Sequence, residues 1–439
     1  MIDFVSSPLL AMLGLVALIA VGVLSWKSSR YGLYAVTALL PAYLIRLRVW
    51  GVPITILELA ILLLFLIWLI RAGIWRSLLD WSKPRTNVLP IAIRILITLL
   101  LLAATISALI SPNQLAAWGQ WKAYFLEPVM VFLVALYSLQ TRRQIEVLLG
   151  ILGLQVLLLL PLGLIQYLTA WSIPNEFWSA EATRRITTIY GYPNGTSLFV
   201  TPIIALYLGW WSGFRGSWRV LASLVIVAGL ALILMAHTAG SLVALMICFI
   251  VVLWRHPRTR LWSSLLMTII LLASLYYLTT PNFQTQWQRI TTQTLTLTSS
   301  SLEIRIDQWQ ETLTMLSHRW LLGSGLAGYQ SALLPYHRHS FLEIFLYPHN
   351  ILLNFWTELG LIGVIAFLGL LVYLLSVLWK TKSPSAIQQG LLLAFIAIFF
   401  HGIVDVPYFR NDLSVQYFLL VAITIVSLQT REPLPTKHS

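Results

Sequence analysis

Apolar residues in this chain come in runs of about 17 to 25, the length at which an α-helix crosses the hydrocarbon core of a bilayer. That pattern constrains the fold more than any other feature. A segment in lipid must satisfy its own backbone amides or close into a barrel. The alternating ten-residue pattern of barrel strands does not occur. The expected fold class is therefore all-α, a polytopic transmembrane helix bundle. Of 439 residues 59% are hydrophobic and only 10% charged, where a soluble domain carries roughly 25% charged residues. Spans are expected near 8–26, 31–47, 53–70, 89–110, 123–139, 146–169, 196–211, 219–236, 241–254, 261–279, 350–379, 386–403 and 413–429. That is thirteen spans, or twelve if one of the weaker runs (31–47, 53–70 or 241–254) does not cross. The 19 Trp and 17 Tyr suit aromatic belts at the two interfaces.

A net charge of +13 would suggest a nucleic-acid partner in a soluble protein. Here Lys and Arg fall in short loops between apolar runs, so no nucleic acid is expected, and membrane lipids are the surroundings. One alternating set of loops carries Lys27, Arg30, Arg71, Arg76, Lys83, Arg85, Arg142, Arg143, Arg215, Arg219, Arg255, Arg258, Arg260, Lys380, Lys382, Arg431 and Lys437. The other carries fewer: Arg46, Arg48, Lys122, Arg184, Arg185, Arg289, Arg305, Arg319, Arg338 and Arg410. The positive-inside rule puts the first set in the cytoplasm. Arg94 lies just inside a span and can snorkel to the cytoplasmic headgroups. Cys248, the sole cysteine, lies within a span, so no internal disulfide can form. The stretch before the first run has no basic residue, so residues 8–26 read as a retained span rather than a cleaved signal.

The chain then divides into an N-terminal transmembrane bundle (1–279), a loop (280–349), C-terminal transmembrane helices (350–429) and a cytoplasmic tail (430–439). The long loop falls on the charge-poor side and should hold short helices. Ser300 and Glu303 have capping-box spacing, which starts a helix there. Ile306, Trp309, Leu313 and Leu316 follow three or four apart, an apolar stripe for packing over the bundle or lying on the membrane. Arg305 near that helix start suits a phosphate, or serves as partner to Glu303, Asp307 or Glu311, or touches lipid headgroups. His349 stands at the mouth of the 350–379 span, either to move a proton near neutral pH or only to bond headgroups. Arg184 and Arg185 precede a Gly191-Tyr192-Pro193-Asn194-Gly195 turn on the same side. Carboxylates inside spans are costly unless paired, which singles out Glu58, Glu127 and Glu358. With His401 and Asp405 they suggest a polar cavity opening on the charge-poor side, with cations in excess and hence an anionic ligand. No His/Cys/Asp/Glu group has metal-ligand spacing and no cofactor motif occurs, so neither metal nor cofactor is expected.

Three segments in order resemble the O-antigen ligase and O-antigen polymerase superfamily of bacterial membrane glycosyltransferases. They are RITTIYGYPNGTSLF (185–199), RIDQWQETLTMLSHRWLLGSGLAGY (305–329) and HNILLNFWTELGLIG (349–363). YFLEP (124–128) and HGIVDVP (401–407) are also similar to family features, while Tyr192 and the HTAGS segment (237–241) depart from them. The resemblance implies a GT-C-like fold in the bacterial inner membrane, with the active site facing the periplasm or cell exterior. It implies a donor glycan on undecaprenyl diphosphate and, as acceptor, either lipid A core or a growing glycan. Carried over residue by residue, Arg185 and Arg305 would bind the donor diphosphate and His349 would be the general base. Arg184 is expected to join them in binding substrate, and Glu127 and Asp405 to orient substrate or to support the residues that touch it. A transporter or flippase of lipid-linked glycans is the competing reading. It would need charges deep within many spans rather than gathered at one end.

Overall fold

A computed structural model describes residues 2–4, 8–49, 52–72, 89–255, 259–262, 264–265, 268–269, 284–285, 288, 301–339 and 341–429, and structural statements below concern these. Most of the expected 261–279 span, the Ser300 cap and the 430–439 tail lie outside them.

The longer helices are α1 (Pro8–Lys27), α2 (Ser29–Ala38), α3 (Ile56–Ala72), α4 (Ile91–Ile110), α5 (Gln114–Ser138), α6 (Arg142–Thr169), α7 (Pro193–Trp210), α8 (Gly216–Met235), α9 (Ala239–Arg255), α10 (Ser301–Arg319), α11 (Ile351–Lys380), α12 (Ala386–Gly402) and α13 (Asn411–Gln429). Six of them (α4, α5, α6, α8, α11 and α13) are long and apolar enough to cross a membrane, and shorter apolar helices stand beside them. The chain is thus an all-α, multi-pass membrane protein. Thr141 and Ser385 cap α6 and α12 with reciprocal side-chain bonds to Gln144 and Gln388, which satisfies amides that a helix start leaves open.

One expected span is broken. Residues 31–47 form α2, a 3₁₀ turn over Leu40–Leu44 and a strand. Ten residues of α2 rise about 15 Å, half of a bilayer core of about 30 Å. Pro41 lacks an amide donor and disfavours helix at Leu40. The chain instead builds a small antiparallel sheet that sequence patterning missed: β1 (Ile2–Phe4), β2 (Arg46–Val49) and β3 (Val52–Thr55), with Asp3 opposite Arg48.

In the core α7 packs along α12, α13 along α5, and α11 along α4. Nearly every residue of α13 is buried, which makes it the central post. The α7–α12 crossing is close because glycines meet there: a Cβ on Gly209 would lie 2.6 Å from the Gly390 nitrogen. Small residues at such crossings let backbones approach and gain dispersion where lipid offers no hydrophobic drive.

The α11 helix breaks at Gly360, whose φ of 70° and ψ of −173° are non-helical. The turn after α10 fills the break. Ser324 donates its amide (2.7 Å) and its hydroxyl (2.8 Å) to the Thr357 carbonyl, and the Leu361 amide donates to Leu321 O at 3.0 Å. Glu358 accepts the Ala327 amide at 2.7 Å, and its own carbonyl accepts from the Ser107 hydroxyl. Glu358 therefore clamps a backbone turn. Gly360→Ala would place a methyl against the Leu321 carbonyl at a positive φ. The backbone strain alone costs about 1–3 kcal/mol, so a clearly lower melting temperature in detergent is expected; an unchanged one would show that the break relaxes freely.

The face that α10 buries differs from the expected stripe. Leu313 is exposed, and Ile306 and Trp309 are only half-buried. The buried side carries Glu303, Asp307, Gln308, Glu311, Thr312, Met315 and Leu316. The reason lies in residues 337–339, far off in sequence. His337 Nδ1 lies 3.1 Å from Glu311 Oε2, the Arg338 amide donates to Glu311 Oε1 at 2.7 Å, and His339 lies 3.7 Å from Asp307. Paired in this way, the carboxylates can be buried.

Candidate active site

The N-termini of α7, α11 and α13 and the C-termini of α8 and α12 gather at one end of the bundle, with α10 across them. His349 precedes the α11 cap residue Asn350, whose Oδ1 accepts the Leu352 and Leu353 amides at 3.0 Å each. The Asn350 Nδ2 donates to Ile403 O at 2.9 Å. One side chain thus starts α11 and ties it to the 403–410 loop. In consequence His349 Nδ1 lies 3.2 Å from Asp405 Oδ1. The His349 backbone has a φ of 48°, a left-handed conformation uncommon for a non-glycine residue and one often held at working sites. The rings of Tyr347 and Phe345 flank the imidazole at 4.7 and 5.1 Å between centroids.

Arg305 and Trp309 are four apart, so they share a face of α10. Arg305 donates to Val404 O at 2.7 Å, and Trp309 Nε1 donates to Pro348 O at 2.6 Å. The Arg-x3-Trp spacing therefore grips the two loops that carry Asp405 and His349. A second guanidinium nitrogen of Arg305 lies 3.9 Å from Asp405 Oδ2. On the far side Arg185 donates to Ala236 O at 2.9 Å and to Asn194 Oδ1 at 3.1 Å, and Asn194 Nδ2 donates to Asp405 Oδ2 at 2.6 Å.

Asp405 is the hub. Its two oxygens accept from or face His349, Arg305, Asn194 and the Val406 amide at 2.9 Å. Burial opposes its charge, but the His349 hydrogen bond and the nearby His349, His401 and Arg305 hold the carboxyl well below the usual carboxylate range. Burial and the adjacent Arg305 guanidinium lower the Arg185 pKa, and Asp405 works the other way. That mutual repulsion places the two guanidinium groups in one field. Only Asp405 among the contacts above offsets them, so the cluster is suited to an anion. A carboxylate on Nδ1 selects the tautomer with the proton there, which leaves Nε2 as acceptor.

The structure brings together four expected residues: Arg185, Arg305, His349 and Asp405. It places two others elsewhere. Arg184 donates to Ser179 O and Tyr167 O, 3.3 and 3.1 Å away, bracing its own loop. Glu127 accepts from Asn411 Nδ2 at 2.9 Å, and Glu58 pairs with Lys122 at 3.0 Å. Among the described residues no contact joins these to His349. Arg410 is likewise spent, on Asp412, Tyr192 and Gly195 O. Asn194, which bridges Arg185 to Asp405, was not expected as a site residue, although it stands within the Pro-Asn pair of the 185–199 motif. Asn350 and Trp309 hold the loops that carry His349 and Asp405, and the motifs at 349–363 and 305–329 that contain them were the available signal.

Residues 223–368 match the family model described as O-antigen ligase, a segment that contains Arg305 and His349. No curated protein matches the chain. Residues 223–368 thus form a segment similar to O-antigen ligases, which supports the O-antigen ligase/polymerase resemblance, and the Arg185, Asn194 and Asp405 elements pack against it.

Proposed function

We propose that the protein transfers a glycan from undecaprenyl diphosphate to an acceptor hydroxyl, at the end of the bundle that holds His349. The observation that carries this reading is the Asp405 hub, which holds a histidine by Nδ1 beside two arginines. Nε2 of His349 takes the proton of the acceptor hydroxyl. The acceptor oxygen then bonds to the anomeric carbon as the bond to the diphosphate breaks, and the electron pair leaves with the diphosphate. Arg185 and Arg305 stabilise that developing charge. Two guanidinium groups supply the role a metal would otherwise fill, and no covalent intermediate is needed. The acceptor is lipid A core or a second glycan. Arg184 would act on substrate only through its loop, and Glu127 only through the α5–α13 contact at Asn411.

Helix ends and short loops at the opposite end carry Lys27, Arg30, Arg142, Arg143, Arg215, Arg219, Lys380 and Lys382. By the positive-inside rule that end is cytoplasmic and the site is periplasmic. Among the described residues the buried ionisable groups gather towards the His349 end instead of lining a path through the bundle, so passage of a lipid-linked glycan gains no support.

Arg305→Ala is expected to weaken binding of the undecaprenyl-diphosphate glycan about 10- to 100-fold, the size of one or two charge-assisted hydrogen bonds lost. Arg305→Lys keeps the charge without the planar fork and should fall between. Unchanged donor affinity in a folded Arg305→Ala protein would remove Arg305 from the donor site. Supplying purified donor with either lipid A core or a second glycan, and identifying the product, tests the reaction itself.

A further inference from the structure

The opposite end of the bundle holds a second feature, independent of the His349 site. There α6, α7 and α8 leave a groove of about 550 Å³ between them. Its walls are apolar, with Val147 and Leu154 from α6 and Leu221 and Val225 from α8. Gly150 opens the wall, since a Cβ there would meet nothing within 4 Å. The groove follows α6 over residues 146–157, about 16 Å at 1.5 Å per residue. That is close to half of a bilayer core of about 30 Å, the depth of one leaflet.

The mouth is cationic. Arg143 and Arg215 line it with a single carboxylate, Glu146, and Trp218 stands beside them. Arg142 Nε donates to Glu146 Oε1 at 3.0 Å, and Arg143 reaches Oε2 only at 4.0 Å, with its side chain 77% exposed. Arg215 is exposed at the N-cap of α8 and makes no side-chain cap bond to that helix. Cations with an interfacial tryptophan at the rim of a leaflet-deep apolar groove complement an anionic headgroup attached to an acyl chain. A neutral zwitterionic lipid would leave the excess positive charge unmatched.

We propose that this groove binds one anionic glycerophospholipid of that leaflet, one of its two acyl chains along α6 and α8 and its phosphate at the Arg143–Arg215 mouth. The test is native mass spectrometry of the full chain released from nanodiscs that hold equal phosphatidylglycerol and phosphatidylcholine. The wild type should retain one phosphatidylglycerol per chain. Combined Arg143→Glu and Arg215→Glu should lower that retention at least tenfold. Gly150→Leu, which fills the groove without a backbone clash, should do the same with the melting temperature unchanged, so either variant alone suffices. Equal retention of phosphatidylcholine would overturn the proposal. So would unchanged phosphatidylglycerol in a folded variant, or its displacement by equimolar undecaprenyl phosphate.

Discussion

Replacing His349 with Ala is expected to lower glycan transfer about 10²- to 10⁴-fold, the usual contribution of a positioned general base, while the protein inserts and folds. Its imidazole touches Asp405 on one side and two aromatic rings on another, and 18% of the side chain stays exposed. The elements that hold the neighbourhood together do not use that side chain. Trp309 bonds the Pro348 carbonyl, and Asn350 both caps α11 and reaches Ile403 O. Loss of the ring therefore removes a proton acceptor and leaves the scaffold. Donor affinity should change little, because the guanidinium groups remain. Near-normal transfer by the Ala variant, measured with lipid-linked donor and saturating acceptor, would sink the base assignment.

Asp405→Asn should be the second-largest loss, roughly 10- to 10³-fold in kcat with little change in KM for the donor. Asp405 is surrounded by donors: His349 Nδ1, the Val406 amide, Asn194 Nδ2 and the Arg305 guanidinium. An amide of equal size must turn its NH2 towards one of them, so at least one donor loses its acceptor. If that donor is Nδ1, the proton shifts to Nε2 and His349 can no longer accept from the acceptor hydroxyl. If it is Asn194 or Arg305, the cluster loosens, and stability falls by about 1–3 kcal/mol. The folded-state pKa of Asp405 is depressed, so its contribution to stability is present above the unfolded carboxylate value and is lost only as pH falls through the lower folded value. The wild-type carboxylate therefore stays charged across neutral pH. A double variant separates positioning from a merely structural role. Asp405→Asn added to His349→Ala should cost almost nothing further in kcat, since groups that act as a unit are not additive. Full additivity would show that Asp405 does not work through His349.

Much of the bundle was legible because its signals are local. The stretches expected at 350–379, 386–403 and 413–429 are α11, α12 and α13 to within a few residues. Apolar run length and capping residues act within a single helix. The 31–47 run was misread for the same reason: its composition is apolar enough, but Pro41 and the strand partners at 2–4 and 52–55 decide its backbone. The α10 stripe failed differently. Burying Asp307 and Glu311 looks unfavourable until His337, Arg338 and His339 arrive from a later turn.

The same division runs through the site. By itself the sequence determined that the chain spans a membrane and that Arg185, Arg305, His349 and Asp405 share one end of it. Run length and charge bias are properties of a segment, and they need no partner. Only the tertiary structure decided which polar groups at that end meet. Glu127 and Asp405 were equal candidates by depth, yet one bonds Asn411 and the other His349. Arg184 and Arg185 are neighbours, yet one braces its loop and the other turns to Asn194. Those outcomes depend on bonds to backbone carbonyls such as Val404, Pro348, Ile403 and Ala236. Every residue offers the same carbonyl, so which one is used is a matter of how the helix ends pack.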